Sequence, residues 1–180
     1  MAGSSPGFEI ERKFLVRGEP WRDASRALPL VQGYLSPSGA KATVRVRVGS
    51  SEAWLTVKGP VQGISRAEFE FKISRAEGQA MLTLCDRQVE KTRYLLRQGE
   101  HVWEIDVFEG ANAGLVVAEI ELSSEEETFE RPKWLGAEVS FEKRYRNSAL
   151  AKRPYSAWSE SDLESFRDGS KMKATPTPIK

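Results

Sequence analysis

From residue 8 to about residue 122 the chain alternates apolar and polar residues one by one, and within each run the charged residues keep one parity. A repeat of two is the repeat of a β-strand, whose successive side chains point to opposite faces, so this chain must fold as a sheet with one ionic face. The runs are 8–16, 31–35, 42–48, 53–58, 66–73, 88–97, 101–108 and 115–122, which makes eight strands. Turn signals separate them, among them Ser36-Pro37-Ser38-Gly39, Gly49-Ser50-Ser51, Gly59-Pro60 and Gly99-Glu100. Links this short join antiparallel neighbours.

Two stretches break the alternation. Residues 74–85 open with a serine cap followed by an early glutamate and place Ala80, Met81 and Leu84 at helical spacing, which predicts a helix outside the sheet. Residues 124–130 also begin with serine and load acid into a first turn, which predicts a second short helix. The predicted domain spans 8–153. After it comes a C-terminal extension, 154–180, with a short helix around 161–167 and a disordered end.

The ionic face carries Glu9, Glu11 and Lys13, then Arg45 and Arg47, Lys58, then Glu68, Glu70 and Lys72, Lys91 and Arg93, Glu104 and Asp106, and Glu119 and Glu121. A solvent-facing sheet surface could be ionic too. Its composition argues otherwise, because solvent faces mix Thr, Ser and Gln among the charges, whereas here like charges come in doublets. Such doublets repel unless something bridges them. Carboxylates two residues apart stand roughly 7 Å apart on one face and suit hard cations such as Mg²⁺ or Mn²⁺. The arginines and lysines suit phosphate oxygens. A polyphosphate carried with metal ions needs both halves.

Charge balance narrows the alternatives. With 27 Lys and Arg against 26 Asp and Glu, the net charge is +1, so no polyanionic partner such as nucleic acid is favoured. One histidine, His101, and one cysteine, Cys85, are too few for a zinc site or a disulfide framework. His101 reads as a surface residue at a strand start. No apolar run approaches the roughly 20 residues that span a bilayer, and Met1 to Gly7 lack the apolar core of a signal peptide, so a cytoplasmic protein without a membrane partner is expected.

Glu9-Ile10-Glu11-Arg12-Lys13 matches the E-x-E-x-K opening of the CYTH superfamily, the triphosphate tunnel metalloenzymes. The chain goes on to resemble that family in order, through Gln32-Gly33-Tyr34-Leu35, Arg45-x-Arg47, Thr56-Val57-Lys58, Arg66-x-Glu68-x-Glu70, Val89-Glu90-Lys91-Thr92-Arg93-Tyr94, Glu104-x-Asp106-x-Phe108, Glu119-x-Glu121 and Lys143-Arg144-Tyr145. The resemblance implies a closed eight-stranded antiparallel barrel whose charged face points inward, with helices covering the apolar exterior. It implies that Glu9, Glu11 and Glu121 hold one metal ion, that Asp106 and Glu119 help hold a second, and that Lys13, Arg45, Arg47, Lys58, Lys91 and Arg93 bind phosphates.

Some members of the family activate water with a Tyr and Lys pair, which corresponds here to Tyr34 and Lys58. An amine serves as a base near neutrality only beside other cations, and Arg45 and Arg47 would be those neighbours. The short N-terminal form is most similar to bacterial triphosphatases acting on inorganic tripolyphosphate. A class IV adenylate cyclase, a thiamine or nucleoside triphosphatase, and a non-catalytic polyphosphate-binding module stay open, as does a homodimer.

Overall fold

A computed structural model describes residues 7–37 and 39–162. Among them are nine strands: β1 (Gly7–Val16), β2 (Arg26–Tyr34), β3 (Thr43–Val48), β4 (Ala53–Lys58), β5 (Ser65–Ile73), β6 (Gln88–Gln98), β7 (His101–Phe108), β8 (Val116–Glu121) and β9 (Leu135–Glu138). They run in the order β5-β4-β3-β2-β6-β7-β8-β1, every pair antiparallel, and β1 pairs back onto β5. That last pairing closes an eight-stranded barrel. β9, which the alternation did not reveal, adds to β1 as a ninth strand beside it. With four residues, Leu135 to Glu138, β9 is too short to display a period.

The barrel closes unevenly. β1 pairs with β5 only over Gly7 to Ile10, and its far end, Phe14 to Val16, pairs with β9 instead. The chain leaving β9 crosses this seam, with the Val139 amide donating to Lys13 O at 2.8 Å and the Lys13 amide donating to the Ser140 hydroxyl at 3.0 Å. Gly136 permits the close approach: a Cβ there would lie 2.9 Å from Leu15 O.

Apolar residues form clusters inside and outside the barrel. At one end of the interior, Val89, Phe108, Leu115 and Val117, which share the parity of the ionic residues on their strands, pack with Val139, Tyr145, Leu150 and Trp158. Residues 139–158 thus plug that end, and Tyr155 and Trp158 belong to the plug although they fall in the expected extension. Outside, Phe14, Trp103, Ile105, Ala118 and Ile120 pack under the loop residues Phe129 and Trp134. On the β3–β4 side the helix α1 (Arg75–Leu82) covers Val46, Val48 and Ala53 with Met81 and Leu82. Ser74 caps α1 in a capping box with Glu77, as the sequence predicts, and Gly78 lets the helix lie close, since a Cβ there would meet Ala53 at 2.7 Å.

The second helix expected over 124–130 does not form. Glu127 turns back to accept bonds from the Ser123 amide and hydroxyl, and it meets His101 Nε2 at 2.8 Å. The segment then continues without regular structure and Phe129 reaches Trp103, ring centroids 5.6 Å apart, so that an aromatic contact here outweighs one turn of helix. Helices therefore cover only part of the exterior, loop 122–135 covers another part, and Phe69 and Phe71 of β5 stay exposed. A short helix, α2 (Asn147–Leu150), follows the seam. The helix expected over 161–167 lies, but for its first two residues, outside the described residues, and so does the chain end.

Candidate active site in the barrel lumen

Because side chains alternate, closing the barrel turns the ionic parity inward onto one cavity of about 370 Å³. Its wall carries seven carboxylates, Glu9, Glu11, Glu68, Glu70, Glu104, Glu119 and Glu121, and seven cations, Lys13, Arg45, Arg47, Lys58, Arg66, Arg93 and Arg146. Tyr34, Thr43, Ser140, Asn147 and Ser148 also line it. The balance of charge is what makes so ionic an interior tolerable, since an unpaired buried ion costs several kcal/mol on the order-of-magnitude scale.

Register sets four of the pairs: Lys13 with Glu119, Lys58 with Glu68, Arg66 with Glu9 and Arg93 with Asp106. Lys13 stands opposite Glu119 across β1 and β8, and its ammonium reaches Glu119 and also Glu11 at 2.9 Å. Burial alone would push Glu119 up, but Lys13, Arg93 and Lys91 hold its carboxyl well below the usual range. Arg93 faces Asp106 across β6 and β7 and forks onto it through Nε and Nη2 at 2.7 Å each, and the same Nη2 also donates to Glu119 at 2.7 Å. Lys58, opposite Glu68, bonds it at 2.8 Å and Glu9 at 2.8 Å. Burial favours a neutral Glu9, yet Lys58 and Arg66 override it and hold the carboxyl at about 2.

Two cross-strand pairs join like charges: Glu11 opposite Glu121, and Glu104 opposite Glu119. Burial first, then Glu119, raise the Glu11 carboxyl, and burial followed by Glu9, Glu104 and Glu11 raises Glu121. Among the described residues no cation stands within ion-pair distance of Glu121.

Most residues picked from the sequence therefore share one cavity: Glu9, Glu11, Lys13, Tyr34, Arg45, Arg47, Lys58, Arg93, Glu119 and Glu121. Asp106 and Lys91 do not line it. Asp106 is fully buried behind the wall, where it neutralises Lys91 and Arg93 together, and burial and Arg93 bring the Lys91 ammonium down to about 8. The tyrosine and lysine expected to act as a pair have other partners. The Tyr34 hydroxyl accepts from Gln32 Nε2 at 2.8 Å, and burial pushes its proton affinity up. The groups against the Lys58 ammonium are carboxylates, not Arg45 and Arg47.

Sequence reading missed Ser140, Arg146, Asn147 and Ser148, which enter the lumen through the seam and not on a strand. They follow no period; the basic run Lys143-Arg144-Tyr145-Arg146 was the one signal available. Of that run Arg144 turns to Asp162 and Tyr145 enters the plug, while Arg146 lines the cavity.

The donor chemistry fits a hard divalent cation, because Glu9, Glu11 and Glu121 offer only carboxylate oxygens and their mutual repulsion is what a cation would relieve. Among the described residues no three such groups are gathered into a finished metal cage. Asp106 and Glu119 are already saturated by Lys13, Lys91 and Arg93.

Comparison with known proteins agrees with this architecture. The inorganic triphosphatase of Acetivibrio thermocellus is 44% identical over 156 residues, 86% of this chain and 99% of that protein. The inorganic triphosphatase of Nitrosomonas europaea is 40% identical over 148 residues, 79% of this chain and 96% of that protein. A crystal structure of an inorganic triphosphatase superposes with a TM-score of 0.60 at 37% identity, covering 79% of this chain and 93% of the other. The CYTH domain matches residues 7–155, a span holding the whole barrel, its seam and every lumen side chain named above, and the chain belongs to the CYTH domain family.

Proposed function

We propose that this protein hydrolyses inorganic tripolyphosphate to pyrophosphate and orthophosphate in the lumen, with Mg²⁺ or Mn²⁺ held by Glu9, Glu11 and Glu121, in a cytoplasmic setting. The carrying observation is the cavity inside the closed strand ring, in which seven carboxylates and seven cations face one another. The relatives named inorganic triphosphatase, matched over nearly their full lengths, support the same reading. The divalent ion neutralises phosphate charge and lowers the cost of charge building up on the leaving pyrophosphate.

The chain's own groups then have distinct tasks. Arg45, Arg47, Lys58, Lys13 and Arg93 grip phosphate oxygens, in a wall already shaped before substrate enters. Buried Nε–H groups on Arg45 and Arg47 have no partner among the described residues and are free to donate to a phosphate oxygen. Asp106, itself paired with Lys91, holds Arg93 in place from behind the wall, and Arg93 reaches Glu104 and Glu119 on the lumen side. Tyr34 and Lys58 orient the attacking water, Tyr34 as a hydrogen-bond donor, since burial disfavours its phenolate.

The test is an assay with Mg²⁺ or Mn²⁺. Tripolyphosphate should release orthophosphate, and ATP should give no cyclic AMP. Conversion of ATP to cyclic AMP and pyrophosphate would replace this reading with a cyclase, and tight tripolyphosphate binding without metal-dependent turnover from pH 6 to 10 would leave only a binding module.

A further inference from the structure

Six of the seven lumen cations rest against a carboxylate. Lys13 lies 2.9 Å from Glu11, Arg47 3.0 Å from Glu70, Lys58 2.8 Å from Glu9 and Arg66 2.6 Å from Glu9. Arg93 is 2.7 Å from Asp106, and Arg45 is 3.8 Å from Glu68 and Glu70. The seventh is Arg146, delivered by the seam segment. Among the described residues its guanidinium has no ion pair and no hydrogen-bond acceptor. The charge it feels is a like one: burial and then Arg66 lower its pKa. The neighbouring Asn147 keeps a buried Oδ1 without a partner among the described residues.

Two guanidiniums turned toward one cavity, one of them uncompensated, make an arrangement that a multiply charged oxyanion would stabilise and water alone does not. We infer that Arg146 binds a phosphoryl group of the substrate, shared with Arg66, so that the seam segment is a substrate-binding wall as well as a plug; this rests on the triphosphatase reading above. The chemistry recognised is the terminal or bridging oxygens of a polyphosphate. Arg146 comes from outside the eight strands, so substrate binding ties residues 140–148 to the barrel and should stabilise the fold through the ordinary linkage between ligand and native state.

The experiment compares wild type with Arg146→Ala, Arg146→Gln and Arg146→Lys, and with Lys152→Ala as an exposed control on the same segment. Steady-state hydrolysis of tripolyphosphate and thermal melts with and without it are read. Arg146→Ala and Arg146→Gln should raise KM for tripolyphosphate about tenfold or more, with a smaller change in kcat, and should shrink the melting-temperature rise that tripolyphosphate produces. Arg146→Lys should recover part of the loss. Melts without ligand should be unchanged or higher, because the substitution removes a repelled charge; a residue with a merely structural role would lower them. Neutral variants whose KM and ligand-induced stabilisation stay within twofold of wild type would overturn the inference while wild type still responds. A wild type that neither hydrolyses tripolyphosphate nor is stabilised by it would bring down the functional reading itself.

Discussion

Glu11 and Glu121 stand directly opposite each other across the β1–β8 ladder, and among the described residues no cation lies within ion-pair distance of Glu121. Like charges in that position destabilise a sheet by about 0.2–1 kcal/mol. Under the proposed function a divalent ion relieves this repulsion, so the effect of removing it on stability should run opposite to its effect on activity. Glu121→Gln should raise the melting temperature of the metal-free protein by about 1–3 °C and lower metal-dependent hydrolysis by about 100-fold or more.

The same pair fixes a pH dependence. The folded-state pKa of Glu121 is raised above its unfolded value of 4.5, so the folded state binds the proton more tightly. Stability tied to this group is therefore present below 4.5 and is lost as pH rises through the raised value. The gap in melting temperature between Glu121→Gln and wild type, both metal-free, should widen as pH rises from 4 toward 7. A gap that stays constant or narrows would mean that Glu121 is not repelled in the folded protein.

Lys58 ties β4 to β1 through Glu9 and to β5 through Glu68, and like Tyr34 it lines the cavity. Lys58→Ala should reduce kcat by about 100-fold or more, as loss of a positioned group in the transition state does, while divalent-ion affinity changes far less. Steady-state kinetics and a metal titration followed by thermal shift separate the two. Activity equal to wild type at saturating substrate would remove Lys58 from the chemistry.

The strands were legible because a closed barrel forces every strand to alternate between two environments, and Glu9, Glu11 and Lys13 could be seen to share a face before the face was known to point inward. What alternation could not say was whether that face met water, since the same pattern serves both; the ordered family motifs resolved it. β9 and the seam were invisible for a different reason. Arg146 reaches the lumen because β1 leaves β5 after Ile10, a consequence of how two distant strands diverge and not of any local repeat. Asp106 shares parity with Glu104, yet it is buried behind Arg93, because parity gives direction and not depth. The false helix at 124–130 had good local signals and lost to Phe129, whose contact with Trp103 no local rule contains.

Trp103 is fully buried on the outer side of β7 and makes edge-on contacts with Phe14, Phe129 and Trp134, at centroid distances of 5.8, 5.6 and 5.3 Å. It is the anchor under loop 122–135. Trp103→Ala should cost about 3–5 kcal/mol, which lowers the melting temperature by on the order of 10 °C. The lumen lies on the opposite face of the sheet, so kcat and KM measured well below the transition should stay close to wild type. A change in kcat without loss of stability would show that the outer cluster governs the lumen.

Gly136 offers the complementary case, a position remote from the chemistry whose effect should reach it. A Cβ there would lie 2.9 Å from Leu15 O and 3.2 Å from Leu15 Cβ, so a side chain forces β9 away from β1. The clash is with backbone, which cannot rotate aside as a flexible side chain would. Gly136→Val should cost about 1–3 kcal/mol through overpacking. It should also act on the site, because β9 leads directly into the bond between the Lys13 amide and the Ser140 hydroxyl and onward to Arg146. The expected signature in steady-state kinetics is a raised KM for tripolyphosphate with kcat largely kept, alongside a lowered melting temperature. A variant that loses stability but keeps the wild-type KM would mean that the seam segment holds its place in the lumen independently of β9.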